Sequence, residues 1–515
     1  MSRLKNFSRN LATSYLQLGV NVVYSLVSIP LILLWLPKAE FGLWVVLVQL
    51  MSYVSIIDLG MTGAVSRLLV DHKDERGNGN YGSLVKTAFL VSLTQGLIIL
   101  MAVMLGAPVL ADLMKIPPAH HATFVTLMRV QGLFTAFSFS LRPLGLMLYA
   151  HQRMDIQAYS DMLNLGAQLG LLLLFLKAGC GIYSFIYANG CALLLGPLWL
   201  FWNCRHLRLL PQTNEWGRAS WAIFKSVFNY GKDVFLMGLG AQLIMTSQTI
   251  IVSRCLGLES AAIWSVGTKM FNLVVPLMCR PFGAALPGLY ELFTRGEHER
   301  VRIRFREMVA LTASLGVLFS VAFALCNSLF VEVWTGGKIV WSPGNDLLLA
   351  VWIFASSVQT THCNFVNVTK KIGGMRYLYF AEGCCFIVLA TGLGFHWSFS
   401  GIIVCSVICT VGFSCQYGLR LSRNFFHVGY RELAFGWLSP SLKLAILLIP
   451  IAWITWMATA TLPLLQRLIC HVIVASFVGG FLFLRVGLPS GLMNEVVARS
   501  PRPLSRLWQL VSASP

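Results

Sequence analysis

Apolar residues fill long stretches of the chain, and polar residues collect in the short gaps between them. The stretches run over 11–36, 41–66, 84–113, 122–150, 156–176, 179–203, 228–252, 259–290, 307–333, 345–368, 375–393, 397–419, 440–462 and 465–487. An α-helix needs roughly 20 mostly apolar residues to cross the hydrocarbon core of a bilayer. The pattern therefore predicts an all-α polytopic membrane protein with about 14 transmembrane helices. The division between 156–176 and 179–203 rests only on Lys177, Ala178 and the glycines beside them. The longest gaps, near 204–227 and 421–439, are too short for a domain outside the membrane.

Some polar residues fall inside the stretches at helical spacing. Ser14, Gln17, Asn21, Ser25 and Ser28 return every three or four residues and draw one polar stripe down the first helix. Gln242, Thr246, Thr249 and Ser253 do the same in 228–252. A shift of 221 carries Asn21, Ser25 and Ser28 onto Gln242, Thr246 and Thr249. In the following helix a shift of 220 carries Trp44 onto Trp264, Gln49 onto Lys269, Ser52 onto Asn272 and Gly63-Ala64 onto Gly283-Ala284. This predicts two six-helix lobes in a parallel repeat, 1–210 and 211–436, followed by two extra helices and a tail over 437–515. Paired lobes with a polar seam are how many transporters build alternating access.

Composition agrees. Of 515 residues, 57% are hydrophobic and 11% charged, where soluble domains carry about 25% charged residues. The net charge of +19 invites a nucleic-acid reading, but the basic residues are dispersed in short clusters rather than gathered on one face or tail. Alternate gaps hold 28 Lys and Arg against 6 in the others. By the positive-inside rule both termini are cytoplasmic. The basic start MSRLKNFSRN leads into a stretch too long for a signal peptide, with Asn21 and Pro30 inside it, so it reads as a helix that stays. The 13 cysteines lie mostly within apolar stretches and form no C-x-x-C, which reads as packing rather than a disulfide framework or a metal site. No cofactor is expected. There is no G-x-S-x-G and no phosphate-binding G-x-x-x-x-G-K-[ST], so no catalytic residue is assigned.

Charges within the helices are costly and need a reason. At about 1.5 Å rise per residue, Lys269 lies near the midplane and Arg129 slightly outside it. Arg67, Arg142 and Arg280 sit near the cytoplasmic boundary, within snorkelling reach of the interface. Asp58, Asp161 and Glu382 lie in the inner half. Asp58 and Arg67 are about 180° apart on a regular helix, so an ion pair between them requires Gly60 and Gly63 to bend it. Asp58 is left to hold Arg142 or Arg280, or to take up a proton. Two midplane cations suggest an anionic cargo, since ammonium and guanidinium groups are the usual partners of phosphate. Asn21, Gln49, Gln242 and Asn272 suit a hydroxyl-rich cargo, or else hydrate a cavity or bond helix to helix.

Three stretches then resemble a known family: EFGLWVVLVQLMSYVSIIDLGMTGAVSRLLV at 40–70, AAIWSVGTKMFNLV at 261–274 and ALPGLYELFTRGEHERVRIRF at 285–305. They are similar to the second helix, the eighth helix and its exit loop in bacterial polysaccharide transporters, the lipid-linked oligosaccharide flippases of the multidrug/oligosaccharidyl-lipid/polysaccharide (MOP) exporter superfamily. The first helix carries no interior Arg, which departs from the peptidoglycan-precursor flippases. The resemblance implies movement of a polyprenyl-diphosphate-linked oligosaccharide across the bacterial cytoplasmic membrane during O-antigen, capsule or exopolysaccharide synthesis. It implies that Lys269 and Arg129 attract the diphosphate or acidic sugars, with Asn272, Asn21, Gln49 and Gln242 in the same cavity. It also implies an inward mouth formed by Asp58, Arg67, Arg142, Arg280 and Asp161. Membrane lipids and glycan-assembly enzymes are the further partners expected. A multidrug exporter of the same superfamily is the nearest alternative, and it would favour acidic midplane groups. A membrane glycan polymerase or glycosyltransferase is the enzyme alternative, and it would need a large outward loop.

Overall fold

The computed structural model describes residues 3–492 apart from 73–74, 77–78, 152, 214, 370–372 and 490. The described residues are helical with no strand. The first six passes are α1 (Arg3–Trp35), α2 (Lys38–Ser52) with α3 (Met61–His72), α4 (Asn80–Leu113), α5 (Pro118–Ser140) with α6 (Arg142–Ala150), α7 (Met154–Lys177) and α8 (Tyr183–His206). The next are α9 (Trp221–Leu256), α10 (Leu258–Gly267) with α11 (Lys269–Thr294), α12 (His298–Trp334) and α13 (Pro343–Thr369). Then come α14 (Met375–Cys409) with α15 (Gln416–Phe426), α16 (Ser439–Ala458), and α17 (Leu464–Ile473) with α18 (Gly479–Leu482). Among the described residues, 11 helical stretches are long and apolar enough to cross a membrane. One of them, Met375–Phe426, contains non-helical backbone at Trp397 and Ser398 and so supplies two of the predicted passes. The division at 177–183 is real as well, with Gly179 and Gly181 at positive φ.

Outward faces carry rows such as Leu97, Met101 and Leu105 on α4, and Ile446, Ile449 and Trp453 on α16. Water would not tolerate such rows, and lipid accepts them. The chain is a multi-pass membrane protein of the predicted all-α class.

Three predicted helices are not continuous. The stretch 41–66 is interrupted over Tyr53–Gly60, 122–150 at Leu141, and 259–290 at Thr268. Hydropathy registers apolar length and is blind to a change of axis, so each break hides inside an unbroken apolar run.

By its contacts the chain forms two compact units, Met1–Ala262 and Ile263–Pro515. In the first, α7 packs on α8 and α1, α4 on α5, and α9 lies against α2 and α3. Thus α9, which the repeat pattern puts at the start of the second lobe, is packed within the first unit. The core of the first unit gathers Leu69, Tyr81, Val85, Met147, Leu148 and Val227 at its arginine-rich end. In the second unit the corresponding core is aromatic: Phe282, Phe305, Phe365, Phe426 and Trp437. Val317, Leu444 and Leu448 tie α16 to α12. Each unit holds one of the two tryptophans that the repeat pattern matches, packed on a phenylalanine. Trp44 stacks on Phe185 of the sixth pass at 4.7 Å, and Trp264 packs on Phe399 of the twelfth at 5.9 Å.

Candidate functional site

The second pass changes direction where α2 ends. Tyr53–Asp58 forms tighter 3₁₀ turns, then Leu59 and Gly60 take left-handed backbone with φ 49° and 72°. Glycine accepts that conformation freely, and leucine does so at a cost. The break frees backbone carbonyls, which lipid cannot satisfy. Gln95 of α4 supplies the donors, with its Nε2 3.0 Å from the Ile57 oxygen and 3.3 Å from that of Asp58.

Asp58 then opens α3. Its Oδ2 accepts the Thr62 N–H at 3.2 Å and its Oδ1 accepts the Thr62 hydroxyl. The fourth pass is broken opposite, so that Arg142 begins α6 with Pro143 behind it. Arg142 Nη1 is 3.3 Å from Asp58 Oδ1 and 3.4 Å from Thr62 Oγ1. The guanidinium also lies 3.6 Å from the centroid of the Phe139 ring, a cation–π contact. Two breaks in neighbouring passes thus meet through one ion pair.

Other polar groups in the first unit fasten helices together. Gln17 Nε2 donates to Asp161 Oδ2 at 2.7 Å and ties α1 to α7. Arg9 and Arg153 lie 3.1 and 3.0 Å from the buried Asp155. Gln242 Nε2 donates to the Ser52 carbonyl at 3.2 Å, and Tyr53 and Ser247 share a hydrogen bond of 2.7 Å, so α9 is latched to the end of α2. Asn21 is exposed on α1, with its Oδ1 3.5 Å from the Ser25 hydroxyl, and Gln49 is half-buried on α2. Arg129 is exposed on α5 in a row with Leu133 and Phe137, and its Nε donates to the Met104 carbonyl at 3.3 Å. Its row is apolar, the pattern of a lipid-facing side.

In the second unit, Lys269 begins α11 directly after the break at Thr268. Lys269, Asn272, Pro276, Arg280 and Gly283 follow one another at steps of three or four and share one face. Lys269 is half-buried and the other four are exposed. The opposite face, Phe271, Met278, Phe282 and Leu289, is buried. Among the described residues Lys269 has no hydrogen bond or ion pair. α11 therefore presents an open, polar, cationic face where the outer rows of α4, α5 and α16 are apolar.

Two buried carboxylates of this unit accept hydrogen bonds from protein donors. Asp346 is fully buried and accepts Asn327 Nδ2 at 2.7 Å, Trp341 Nε1 at 2.8 Å and the Ser328 N–H at 2.8 Å. Glu382 is buried and accepts the Ser414 hydroxyl at 3.1 Å. Ser414 belongs to a wide π turn, Thr410–Cys415, whose Ser414 carbonyl takes the Cys363 thiol. Among the described residues no group of three or more His, Cys, Asp or Glu could hold a metal ion.

Residues 35–342, more than half of the chain, match the family described as Polysaccharide biosynthesis protein. The chain belongs to this family. Solved structures share the fold at low identity. An inward-facing MATE-family multidrug resistance transporter of the MOP superfamily superposes with a TM-score of 0.62 at 13% identity, over 80% of this chain and 96% of that one. A mutant of the Vibrio cholerae MATE transporter VcmN gives 0.57 at 13%, over 83% and 98%. A MOP-superfamily transporter from Pyrococcus furiosus gives 0.55 at 14%, over 81% and 96%; its binding pocket is described as reversed in polarity, suggesting a different function. No curated protein matches the sequence. This member of the polysaccharide biosynthesis family therefore has the fold of MOP-superfamily transporters.

In this polysaccharide biosynthesis protein, the structure brings Asp58 and Arg142 together and sets Lys269, Asn272 and Arg280 on one face. Asp161 and Gln242 are engaged in helix-to-helix bonds instead. The side chain of Arg67 lies outside the described residues; its backbone is in α3. The regular-helix geometry between Asp58 and Arg67 does not apply, because Leu59 and Gly60 turn the chain between them, while Gly63 is plainly helical. Residues absent from the pattern reading are Thr62, Gln95, Asn327 and Asp346. One sequence signal was available: Pro143 marks a helix start, because its missing N–H costs nothing in the first turn.

Proposed function

We propose that the protein carries a polyprenyl-diphosphate-linked oligosaccharide from the cytoplasmic to the outer leaflet of the bacterial cytoplasmic membrane by alternating access. Membership of a polysaccharide biosynthesis family supports a glycan cargo. The open cationic face of α11 carries the reading. Lys269 supplies a compact ammonium for the anionic part of the cargo, and Arg280, about 16 Å further along the helix by its rise, supplies a guanidinium at the cytoplasmic end. Asn272 lies between them and offers an amide to sugar hydroxyls. Arg142, held by Asp58, stands at the inward mouth with Arg67. Arg129 stands in an apolar row with Leu133 and Phe137, and we give it no first place in cargo binding.

A multidrug exporter for organic cations would need an available acid. Among the described residues Asp58, Asp161, Asp346 and Glu382 all accept hydrogen bonds within the protein. The Lys269 ammonium on α11 has the opposite sign.

The test is reconstitution in vesicles with a fluorescent lipid-diphosphate oligosaccharide, following its transfer between leaflets. Lys269→Ala is expected to slow transfer at least tenfold, about 1.4 kcal/mol or more, and Lys269→Arg to keep much of it. Absence of transfer by the intact protein would refute the flippase reading. Equal rates for the intact protein and Lys269→Ala would remove Lys269 from the mechanism.

A further inference from the structure

The break that places Lys269 is built by residues remote from it in sequence. In an unbroken helix the Gly267 carbonyl would accept the Phe271 N–H. Here it accepts Asn327 Nδ2 at 3.0 Å. The Thr268 hydroxyl turns back onto the Trp264 carbonyl at 2.7 Å, and α11 starts at the next residue. The same Asn327 amide nitrogen donates to Asp346 Oδ1 at 2.7 Å, so the carboxylate fixes which way the amide points. Trp341 Nε1 donates to that oxygen at 2.8 Å, and the Trp341 ring lies flat against Gly267, where an added Cβ would run into it. Ser328 N–H fills the other carboxylate oxygen at 2.8 Å. Asp346 is wholly buried and Asn327 nearly so. Both oxygens of the buried carboxylate are filled by protein donors, and such a filled acceptor rigidifies the groups that donate to it.

We propose that Asp346, acting through Asn327 and Trp341, is a positioning residue: it holds the α10–α11 break open at Gly267 and thereby sets where the Lys269 ammonium stands on the open face of α11. It does not touch the cargo. Closing the break would return the Gly267 carbonyl to Phe271 and rotate α11 relative to α10. Lys269 would then leave the face it shares with Asn272 and Arg280. This inference rests on the reading of Lys269 as a cargo-binding group, and its test separates the two.

The experiment measures how fast the Lys269 amine in the reconstituted full-length protein is acylated by a water-soluble reagent, read by peptide mass spectrometry. Lys225 and Lys443 on other helices serve as internal standards. Asn327→Leu, which keeps the volume and removes the donor, is expected to change the Lys269 rate severalfold and leave the standards unchanged. Asp346→Asn keeps an acceptor for Asn327 and Trp341 and should shift Lys269 less than Asp346→Ala does. In the transfer assay the same variants should raise KM for the lipid-diphosphate oligosaccharide severalfold with Lys269 still present. An unchanged Lys269 rate in folded Asn327→Leu would overturn the proposal. So would an equal change at Lys225 and Lys443, which signals general loosening. If Asn327→Leu does not fold, Trp341→Phe keeps the ring on Gly267 and deletes one donor to Asp346. A selective change at Lys269 then supports the proposal, and no change overturns it. Should Lys269→Ala transfer cargo normally, the cargo role fails while the labelling result still decides the positioning.

Discussion

A charged residue at membrane depth is read from sequence by counting along the helix, and that count fixes depth but not direction. Lys269 and Arg129 had the same claim by depth. The structure separates them by face: Arg129 keeps company with Leu133 and Phe137, and Lys269 with Asn272 and Arg280. Asp58 shows the complementary limit. The sequence left it to hold Arg142 or Arg280, or to take up a proton. Arg142 is the one it holds, because the α5–α6 break aims Arg142 at the start of α3. The pair can be weighed directly. Asp58→Ala removes the partner of Arg142 and the bonds to Thr62 at once. Both side chains keep some solvent access, 37% for Arg142 and 17% for Asp58, so the loss is expected to be about 1–3 kcal/mol rather than that of a fully buried pair. Asp58→Ala with Arg142→Leu should be less destabilised than the two single changes added together. A double-mutant cycle of thermal unfolding in detergent checks this, and strict additivity would mean that the two groups do not interact.

At the level of elements, the fourteen passes were legible because lipid imposes length and apolarity on each of them. The three breaks were not. Leu59-Gly60 and Pro143 left local marks, but Thr268 left almost none, since the break there is held by Asn327 from α12. The polar stripe on α9 was legible as a stripe and ambiguous in purpose. Two of its four residues, Gln242 and Thr246, turn out to fasten α9 to Ser52 at the end of α2, beside a Tyr53–Ser247 bond. The start of α10 approaches α2 as well, closely enough to test with one methyl group. Gly42 of α2 faces the Leu258 carbonyl, and a Cβ there would run into backbone that cannot rotate away. Gly63 of α3 has open space. Gly42→Ala is expected to cost about 1–3 kcal/mol through overpacking. Gly63→Ala should be neutral or stabilise by up to about 1 kcal/mol, because alanine loses less entropy in a helix. Comparison of their unfolding midpoints checks the contrast, and equal effects would contradict the close approach of α2 to Leu258.

For the whole molecule, charge asymmetry carries the orientation. Arg205, Arg208 and Arg218 lie at or after the end of α8, Arg295, Arg300, Arg302, Arg304 and Arg306 lie at the α11–α12 connection, and Lys338 is the one Lys or Arg between Trp334 and Pro343. Reporter fusions truncated at 212 and at 296 are expected to report the cytoplasm, and a fusion at 338 the outer side. A reporter at 338 on the same side as one at 296 would mean that α12 does not cross. The lobe repeat was read from the first helix pair against the seventh and eighth helices, and the aromatic pairs Trp44–Phe185 and Trp264–Phe399 hold its two matched tryptophans. The positions of the breaks do not repeat, since the second pass bends near Asp58 and the eighth at Thr268. Each half has kept its architecture and placed its own irregularity where its own buried partners hold it.

Asp58 also sets a condition on how the chain is made. It reaches the bilayer in the second pass, whereas Gln95, which satisfies the carbonyls of its break, comes 37 residues later and Arg142 comes 84 residues later. During synthesis the carbonyls of the break must therefore wait for the third pass, and Asp58, bonded locally only to Thr62, must wait for its cation until the fourth. A chain that ends before Arg142 therefore holds a membrane-embedded acid without its cation, a burden that lipid alone does not relieve.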